Sequence, residues 1–344
     1  LDLRATTGTT KGEIMSQKMR AIVVDAPGDP SVLQLREVDV PEPASGQVRI
    51  KVAYCALNPL DTHSRAARVA WGAPTMPYTP GYEYAGVVDA VADDVEEELI
   101  GQRVVAVGEW GGNAEYALAT SARLIPVPDA FDWKTAAVFA TCAPTSWHLV
   151  HSAGKVKDGD VVVVHSAAGA VGALTTQIAK DAGAVVYGLV GSDSRAQYAK
   201  QFGADMLIDR VAGNWADVVL RLTNDRGANV IFDGVAGPDA PLNYRAVAPL
   251  GNVIYLGQMA GPPPEVNIGQ LIGKSFSVTG FVQYFHQAAT RRAEEPELFG
   301  NLASGKWRIP VERVEPLEKV AELHEAFEGR QLLGRTLIEV GGEI

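Results

Sequence analysis

The chain has 344 residues, 47% of them hydrophobic and 21% charged, with 35 Gly and 20 Pro. That is ordinary globular composition, long enough for two or three domains and far from disordered or collagenous usage. A formal net charge of -11 repels phosphate backbones and anionic headgroups, which argues against nucleic acid and membrane surfaces as partners. Only Cys55 and Cys142 occur, so no disulfide framework and no Cys-x-x-Cys zinc lobe exists. No segment reaches the ~18 uninterrupted apolar residues of a membrane span. Residues 1–17 contain no apolar h-region of a signal peptide and read as an extension, frayed or an expression scar. A soluble, cytoplasmic protein is expected.

The first 140 residues are strand-rich. Ala21–Val24, Gln47–Ala53, Ala85–Val91 and Gln102–Val107 are short β-branched runs separated by turn residues. The acidic run Asp93–Glu98 reads as a solvated turn, and the Pro/Gly-rich stretch Trp71–Gly81 as a loop. From Asp132 the pattern becomes helical, through Ala136, Ala137 and Ala140. Beyond Asp160, strands and helices alternate. Val161–His165 is a continuous apolar strand, as in a sheet covered on both faces. Val171, Leu174, Ile178 and Ala182 then recur at helical period. Strands Val185–Val190, Met206–Ile208, Val230–Asp233, Asn252–Gly257 and Ser277–Phe281 bring the count to six, which predicts a doubly wound parallel α/β sheet. A helix over Leu317–Phe327 and a strand over Thr336–Val340 end the chain.

Ala167–Gly172, between that buried strand and its helix, approximates the dinucleotide fingerprint G-x-G-x-x-G, with Ala167 in place of the first Gly. Gly169 lets backbone approach a pyrophosphate and Gly172 lets helix and strand pack. Ala168, Gly169, Ala170 and Val171 present the N–H groups of a helix N-terminus to phosphate. After the second strand, an NAD site usually has an acid for the ribose. Here Gly191 leaves room, Ser192 and Arg195 offer donors to a 2′-phosphate, and Arg210 adds a second charge. That pattern favours NADPH over NADH, although Asp193 becomes a ribose acid if the register slips by one.

With these residues placed, the chain from Met19 onward resembles the medium-chain dehydrogenase/reductase superfamily, in its zinc-independent quinone oxidoreductase (zeta-crystallin-like) branch. The marks are Asn58–Asp61, Pro80–Gly86, Gly101–Val104, Gly111–Tyr116, Thr145, the nucleotide turn, Phe232–Gly237 and Gly334–Thr336. The resemblance implies a GroES-like, β-rich catalytic domain over 18–142 and 285–344 around a Rossmann domain over 143–284. It also implies further cofactor contacts at Thr145, Val235, Leu256, Gly257, Gln258 and Arg335, and a homodimer. The cleft between the domains would take substrate near Trp71, Tyr284 and His286.

Zinc-dependent relatives place Cys, His-Glu and a second Cys around that cleft. The matching positions here are Asn58 and Tyr82, with Cys142 near the third but one residue out of register with Thr145. An amide, a phenol and one thiol do not make a zinc site, so no metal is expected. Hydride transfer then rests on position and electrostatics, which favours a quinone or the C=C of an α,β-unsaturated carbonyl, since both delocalise the arriving charge. Asn58, Asp61, His63 and Tyr82 are the candidate catalytic residues. His63 stands where this branch often carries Tyr and is a candidate proton donor. Two other readings stay open. Enoyl thioester reductases carry a Tyr about eleven residues after the Asn, where this chain has Val69. A catalytically silent, crystallin-like NADPH binder is the other.

Overall fold

The computed structural model describes residues 17–68 and 74–344; Val69 and Trp71 lie outside the described residues. Lys18–Val23 (β1) and Gln34–Asp39 (β2) form an antiparallel ribbon. Gln47–Ala56 (β3) is followed by one short helix, Pro59–Arg65 (α1). Then come Glu83–Val91 (β4), Arg103–Val107 (β5), Tyr116–Thr120 (β6) and Ile125–Pro126 (β7). The long helix Trp133–His148 (α2) starts where Asp132 accepts a hydrogen bond from Thr135 N, an N-cap.

Strictly alternating units follow: Val161–Val164 (β8), Ala170–Asp181 (α3), Val185–Val190 (β9), Asp193–Ala199 (α4), Met206–Asp209 (β10), Trp215–Leu222 (α5), Ala228–Asp233 (β11), Pro241–Ala246 (α6), Val247–Tyr255 (β12), Ile268–Lys274 (α7) and Ser277–Gly280 (β13). The six strands pair in the order β10-β9-β8-β11-β12-β13, every pair parallel. This is the doubly wound sheet that the alternation predicts. Its order reverses between β8 and β11, so the crevice at their C-terminal ends is where such sheets hold ligands. Alternate residues explain why the β8 run is apolar throughout. Val162 and Val164 join the cluster under α2 and α3, while Val163 faces Trp215 on the other side.

Gln283–Thr290 (α8) and Glu295–Ala303 (α9) lead to Val311–Pro316 (β14), Val320–Glu328 (α10) and Arg335–Glu339 (β15). The last strand returns to the start of the chain: β15 pairs with β3, and the second sheet runs β14-β15-β3-β4-β5-β7, with β6 also on β3. Segments from both ends of the chain thus build one sheet, with the six-stranded sheet between them in sequence. The expected boundary at 142/143 falls inside α2. That helix packs on both sheets, and one apolar cluster holds Ala53, Ala56 and Val105 together with Phe139, Val162 and Phe232.

The elements that periodicity did not show are β2, β6, β7, β14 and the helices α1, α6, α7, α8 and α9. These are short or largely exposed, so their patterns carry little apolar signal. The acidic run 93–98 is an exposed turn ending in a 3-10 turn at Glu97–Leu99.

Candidate functional site

The nucleotide turn is built from one tight backbone reversal. After β8, Ser166 adopts a left-handed conformation (φ 52°), Gly169 N donates to Ser166 O at 2.8 Å, and Gly169 caps α3. A Cβ on Gly172 would lie 2.3 Å from Ser166 O. Only glycine lets the first turn of α3 settle on the strand end, where Ala168, Ala170 and Val171 leave N–H groups for an anion, while the Gly169 N–H is spent on Ser166 O. Thr145 lies on the adjoining face of α2, whose Ser146 Oγ donates to Val171 O at 3.3 Å.

Beside it, at the end of β9, Gly191 is open: a Cβ there would meet nothing closer than Arg210 Nε at 3.8 Å. Ser192 caps α4 by accepting from Arg195 N at 3.3 Å, and Asp193 sits exposed in the first turn. The Arg195 guanidinium donates to Arg330 O at 2.5 Å and Leu332 O at 3.0 Å. Burial, and then the like charges of Arg210 and Arg330, press its pKa below the ordinary value. Arg210 has Asp239 at 3.6 Å, outside hydrogen-bond reach. Three arginines therefore converge beside a glycine that leaves room. Sequence reasoning found two of them. Arg330 enters from a loop 135 residues away and gave no local signal.

Across the sheet, the buried Asp233 accepts from Val235 N at 2.7 Å and Ala236 N at 2.9 Å, which fixes the loop after β11. Leu256 N donates to Asp233 O at 3.0 Å, and Ala260 N to Val235 O at 2.8 Å. Gly257 approaches so closely that a Cβ would stand 3.0 Å from Gly234 O. Val235, Leu256, Gly257 and Gln258 are thus assembled on neighbouring strand ends.

A backbone hydrogen bond joins the two parts of the chain at the nucleotide turn itself. Gly334 N donates to Ala168 O at 3.1 Å, clamping the start of β15 onto the nucleotide turn. The next residue, Arg335, turns into a buried cluster. Its Nη2 donates to Asn58 Oδ1 at 2.8 Å and Glu83 Oε2 at 2.5 Å. Asn58 Nδ2 donates to Glu83 Oε2 and Ala56 O, both at 3.2 Å, and Glu83 Oε1 accepts from Thr141 N at 2.8 Å. Arg335 Nε is buried and finds no partner among the described residues.

Asp61 accepts from Asn58 N at 2.8 Å and from Gly81 N at 3.0 Å. Burial pushes its carboxyl up to about 7, against these backbone donors, which hold it down. Asp61 therefore caps α1 and ties it to the Gly81 turn. The Tyr82 hydroxyl lies 2.9 Å from that of Tyr284, and its ring lies 5.3 Å from that of Trp110. Trp110 is a cleft residue that the sequence reading missed; the adjoining Gly111–Gly112 pair was the available signal. Burial holds the Tyr82 pKa above the ordinary value, so the phenol stays protonated.

His63 is half-buried on α1, and its ring makes no hydrogen bond to a described residue. Burial first, and then Arg68, lower its pKa. His286 is not beside Tyr82. It stacks between Phe281 at 5.0 Å and His148 at 5.7 Å.

Profiles of two known families match the chain: "Alcohol dehydrogenase GroES-like domain" over residues 44–129 and "Zinc-binding dehydrogenase" over residues 170–300. Quinone oxidoreductase of Mus musculus is 32% identical over 313 residues, 89% of this chain and 93% of that protein. Quinone oxidoreductase of Pseudomonas aeruginosa is 32% identical over 315 residues, covering 90% and 96%. The chain belongs to the medium-chain dehydrogenase/reductase superfamily, in its quinone oxidoreductase branch. Among solved structures of this branch, that of the Pseudomonas syringae pv. Tomato DC3000 quinone oxidoreductase superposes with a TM-score of 0.86 at 31% identity, over 93% of this chain and 99% of that one. That of the Escherichia coli quinone oxidoreductase, described as complexed with NADPH, gives 0.85 at 26% identity, again over 93% and 99%. The seven-stranded sheet is the GroES-like part and the six-stranded sheet the Rossmann part of this superfamily's fold.

One matched profile is named for zinc, so the donor set matters. Asn58 offers an amide already engaged by Arg335. Tyr82 offers a protonated phenol. Cys142 would be the one thiol of such a set, and its thiol is pushed up to about 11 by burial. A permanent guanidinium cation lies against Asn58 and Glu83. No cluster of three or more His, Cys, Asp or Glu with metal-holding geometry occurs among the described residues. These residues do not fit zinc.

Proposed function

We propose that the chain is an NADPH-dependent, metal-free reductase whose acceptor is a quinone or the C=C of an α,β-unsaturated carbonyl. One observation carries this reading. The Gly334–Ala168 hydrogen bond places the nucleotide turn directly beside the Asn58–Arg335–Glu83 cluster, so a bound dinucleotide and the polar floor of the cleft are neighbours. The three arginines at Gly191 supply the positive charge that a 2′-phosphate needs, which favours NADPH over NADH.

The cofactor, when bound, supplies the hydride. The protein holds the acceptor and stabilises the negative charge that develops on its oxygen. Tyr82 and Tyr284 are suited to this, because two phenols joined by one hydrogen bond still have one O–H left to donate. Arg335 adds fixed positive charge below, Asn58 holds that guanidinium in place, and Asp61 orients α1. His63 is the candidate donor of the proton that follows the hydride.

On the same reading the domains divide at 142/143 and 284/285, and the protein is a cytoplasmic homodimer. Thioester reduction is the weaker alternative, and its discriminating position, Val69, lies outside the described residues.

Oxidation of NADPH, followed by absorbance against a panel of quinones and enones, tests the reading. Turnover on at least one acceptor is expected. NADPH binding without turnover on any acceptor would favour the silent binding protein instead. Dialysed protein should contain no stoichiometric zinc and keep its activity in chelator, as metal analysis and an assay with chelator would read.

A further inference from the structure

A recess of about 330 Å³ lies on α8 and the turn that ends it, lined by Tyr284, Gln287, Ala288, Arg291 and Arg292. Tyr284 belongs to two places at once: it lines this recess, and its hydroxyl meets Tyr82 at 2.9 Å. The recess therefore opens one phenol away from the residue that faces the acceptor.

Its charge runs against that of the whole molecule. The chain carries a net -11, yet the lining contains two guanidinium groups and no carboxylate. Arg292 pairs with Glu295 at 3.0 Å at a half-exposed site. Arg291 is exposed and meets no carboxylate among the described residues. The nearby Glu294 gives no compensation at the recess, because its carboxylate turns inward to His148 Nε2 at 3.0 Å and Thr290 Oγ1 at 2.7 Å.

Gln287, only 8% exposed, shares the lining with these arginines and brings a side-chain amide with two N–H donors to the recess. Arg291 (φ 53°) and Arg292 (φ 59°) also hold two successive left-handed conformations, which non-glycine residues rarely adopt.

Resting on the reductase reading above, we propose that this recess receives an anionic arm of the acceptor, so that the preferred substrates carry a carboxylate or phosphate across Tyr284 from the reacting C=C. Planar guanidinium groups grip either group through paired charge-assisted hydrogen bonds, and Gln287 contributes an amide donor. The acidic remainder of the surface then leaves this recess as a local attractor for such substrates.

Two matched pairs of acceptors test the proposal: benzalacetone against its para-carboxylate, and crotonyl-pantetheine against crotonyl-coenzyme A. In each pair the reacting group is shared and only the charged arm differs. The readout is the ratio of kcat/KM for the charged over the uncharged member, in the native enzyme and in the Arg291→Gln, Arg292→Gln double variant. The ratio should fall by ~10- to 100-fold in the variant for at least one pair, the range of a lost charge-assisted contact. Which pair responds tells a carboxylate arm from a phosphorylated one. A ratio that is the same in both proteins, for both pairs, would overturn the proposal, whereas a purely structural role for the arginines would move both members together. If no acceptor turns over, the reductase reading itself fails. Calorimetric Kd values for the same pairs on NADP⁺-loaded protein then judge the recess by the same comparison, with equal losses for both members counting against it.

Discussion

Arg330 and Arg195 play different parts beside Gly191, although their charges lie close together. Arg195 donates its hydrogen bonds to the carbonyls of Arg330 and Leu332, which anchors the loop between α10 and β15 to the Rossmann part. The Arg330 guanidinium is left exposed. Arg330→Ala is expected to raise KM for NADPH by ~10- to 100-fold while moving KM for NADH little. Arg195→Ala should do the same and also lower Tm, because the loop loses two charge-assisted bonds. Steady-state kinetics with both cofactors and a melting curve read these outcomes, and equal losses for NADPH and NADH would remove the arginines from 2′-phosphate recognition. At the other end of the site, the depressed pKa of His63 sets a direction in pH. Burial strips water from the imidazolium and Arg68 repels it, so the ring is neutral at pH 7 and gains its proton only below the usual histidine range. If His63 donates the proton, kcat for an enone should climb as pH falls through that lowered pKa. His63→Ala should cost ~10- to 100-fold and flatten the climb. A pH profile unchanged by the substitution would leave Tyr82, Tyr284 and water as the donors.

Among the elements, α3 shows how a motif becomes a site. Its helical period is set by Leu174 and Ile178, which pack under the sheet, but its entry depends on Gly172. A methyl group there would press to 2.3 Å from Ser166 O, a backbone atom that cannot swing away. Gly172→Ala should therefore destabilise the protein by ~2 kcal/mol, in the range of overpacked sites, and weaken NADPH binding as the turn opens. Thermal melting and a fluorescence titration with NADPH would show this; a variant that keeps both would mean that the turn relaxes without cost. Helix α2 works differently. It lies against both sheets, and Ala136, Ala137, Ala140 and Ala143 let it sit close. The small residues that carried its helical period are also the ones that allow the close approach. The Glu83–Arg335 pair is joined across 252 residues by strands β4 and β15. Asn58 completes the cluster from the N-cap of α1, an element whose seven residues are too few to show a period.

At the scale of the whole molecule, the six-stranded sheet ends at β13, an edge strand with unpaired backbone groups. Ile268, Ile272, Leu250 and Phe285 are 65–83% exposed on the elements β12, α7 and α8 near it in the chain. An edge strand with apolar neighbours of this kind is a liability for a lone chain and suits a second copy. The protein should elute as a homodimer in size-exclusion chromatography with light scattering, and Ile272→Glu should shift it toward monomer. A native protein that is monomeric at micromolar concentration would refute this.

By itself the sequence determined the alternating sheet, the nucleotide turn and the family. Each rests on local pattern: a continuous apolar strand, a helical period, a glycine spacing and motifs in fixed order. The resemblance also put Asn58, Tyr82 and Arg335 on the page as separate residues. Only the tertiary structure decided that Arg335 lies on Asn58 and Glu83, that Arg330 joins Arg195 and Arg210, and that Tyr284 meets Tyr82 while His286 turns away to His148. These contacts span up to 277 residues of chain. No periodicity or spacing encodes such a pairing, because it is set by the return of β15 to β3 and the packing of α8 on α2, which bring distant side chains into hydrogen-bond range.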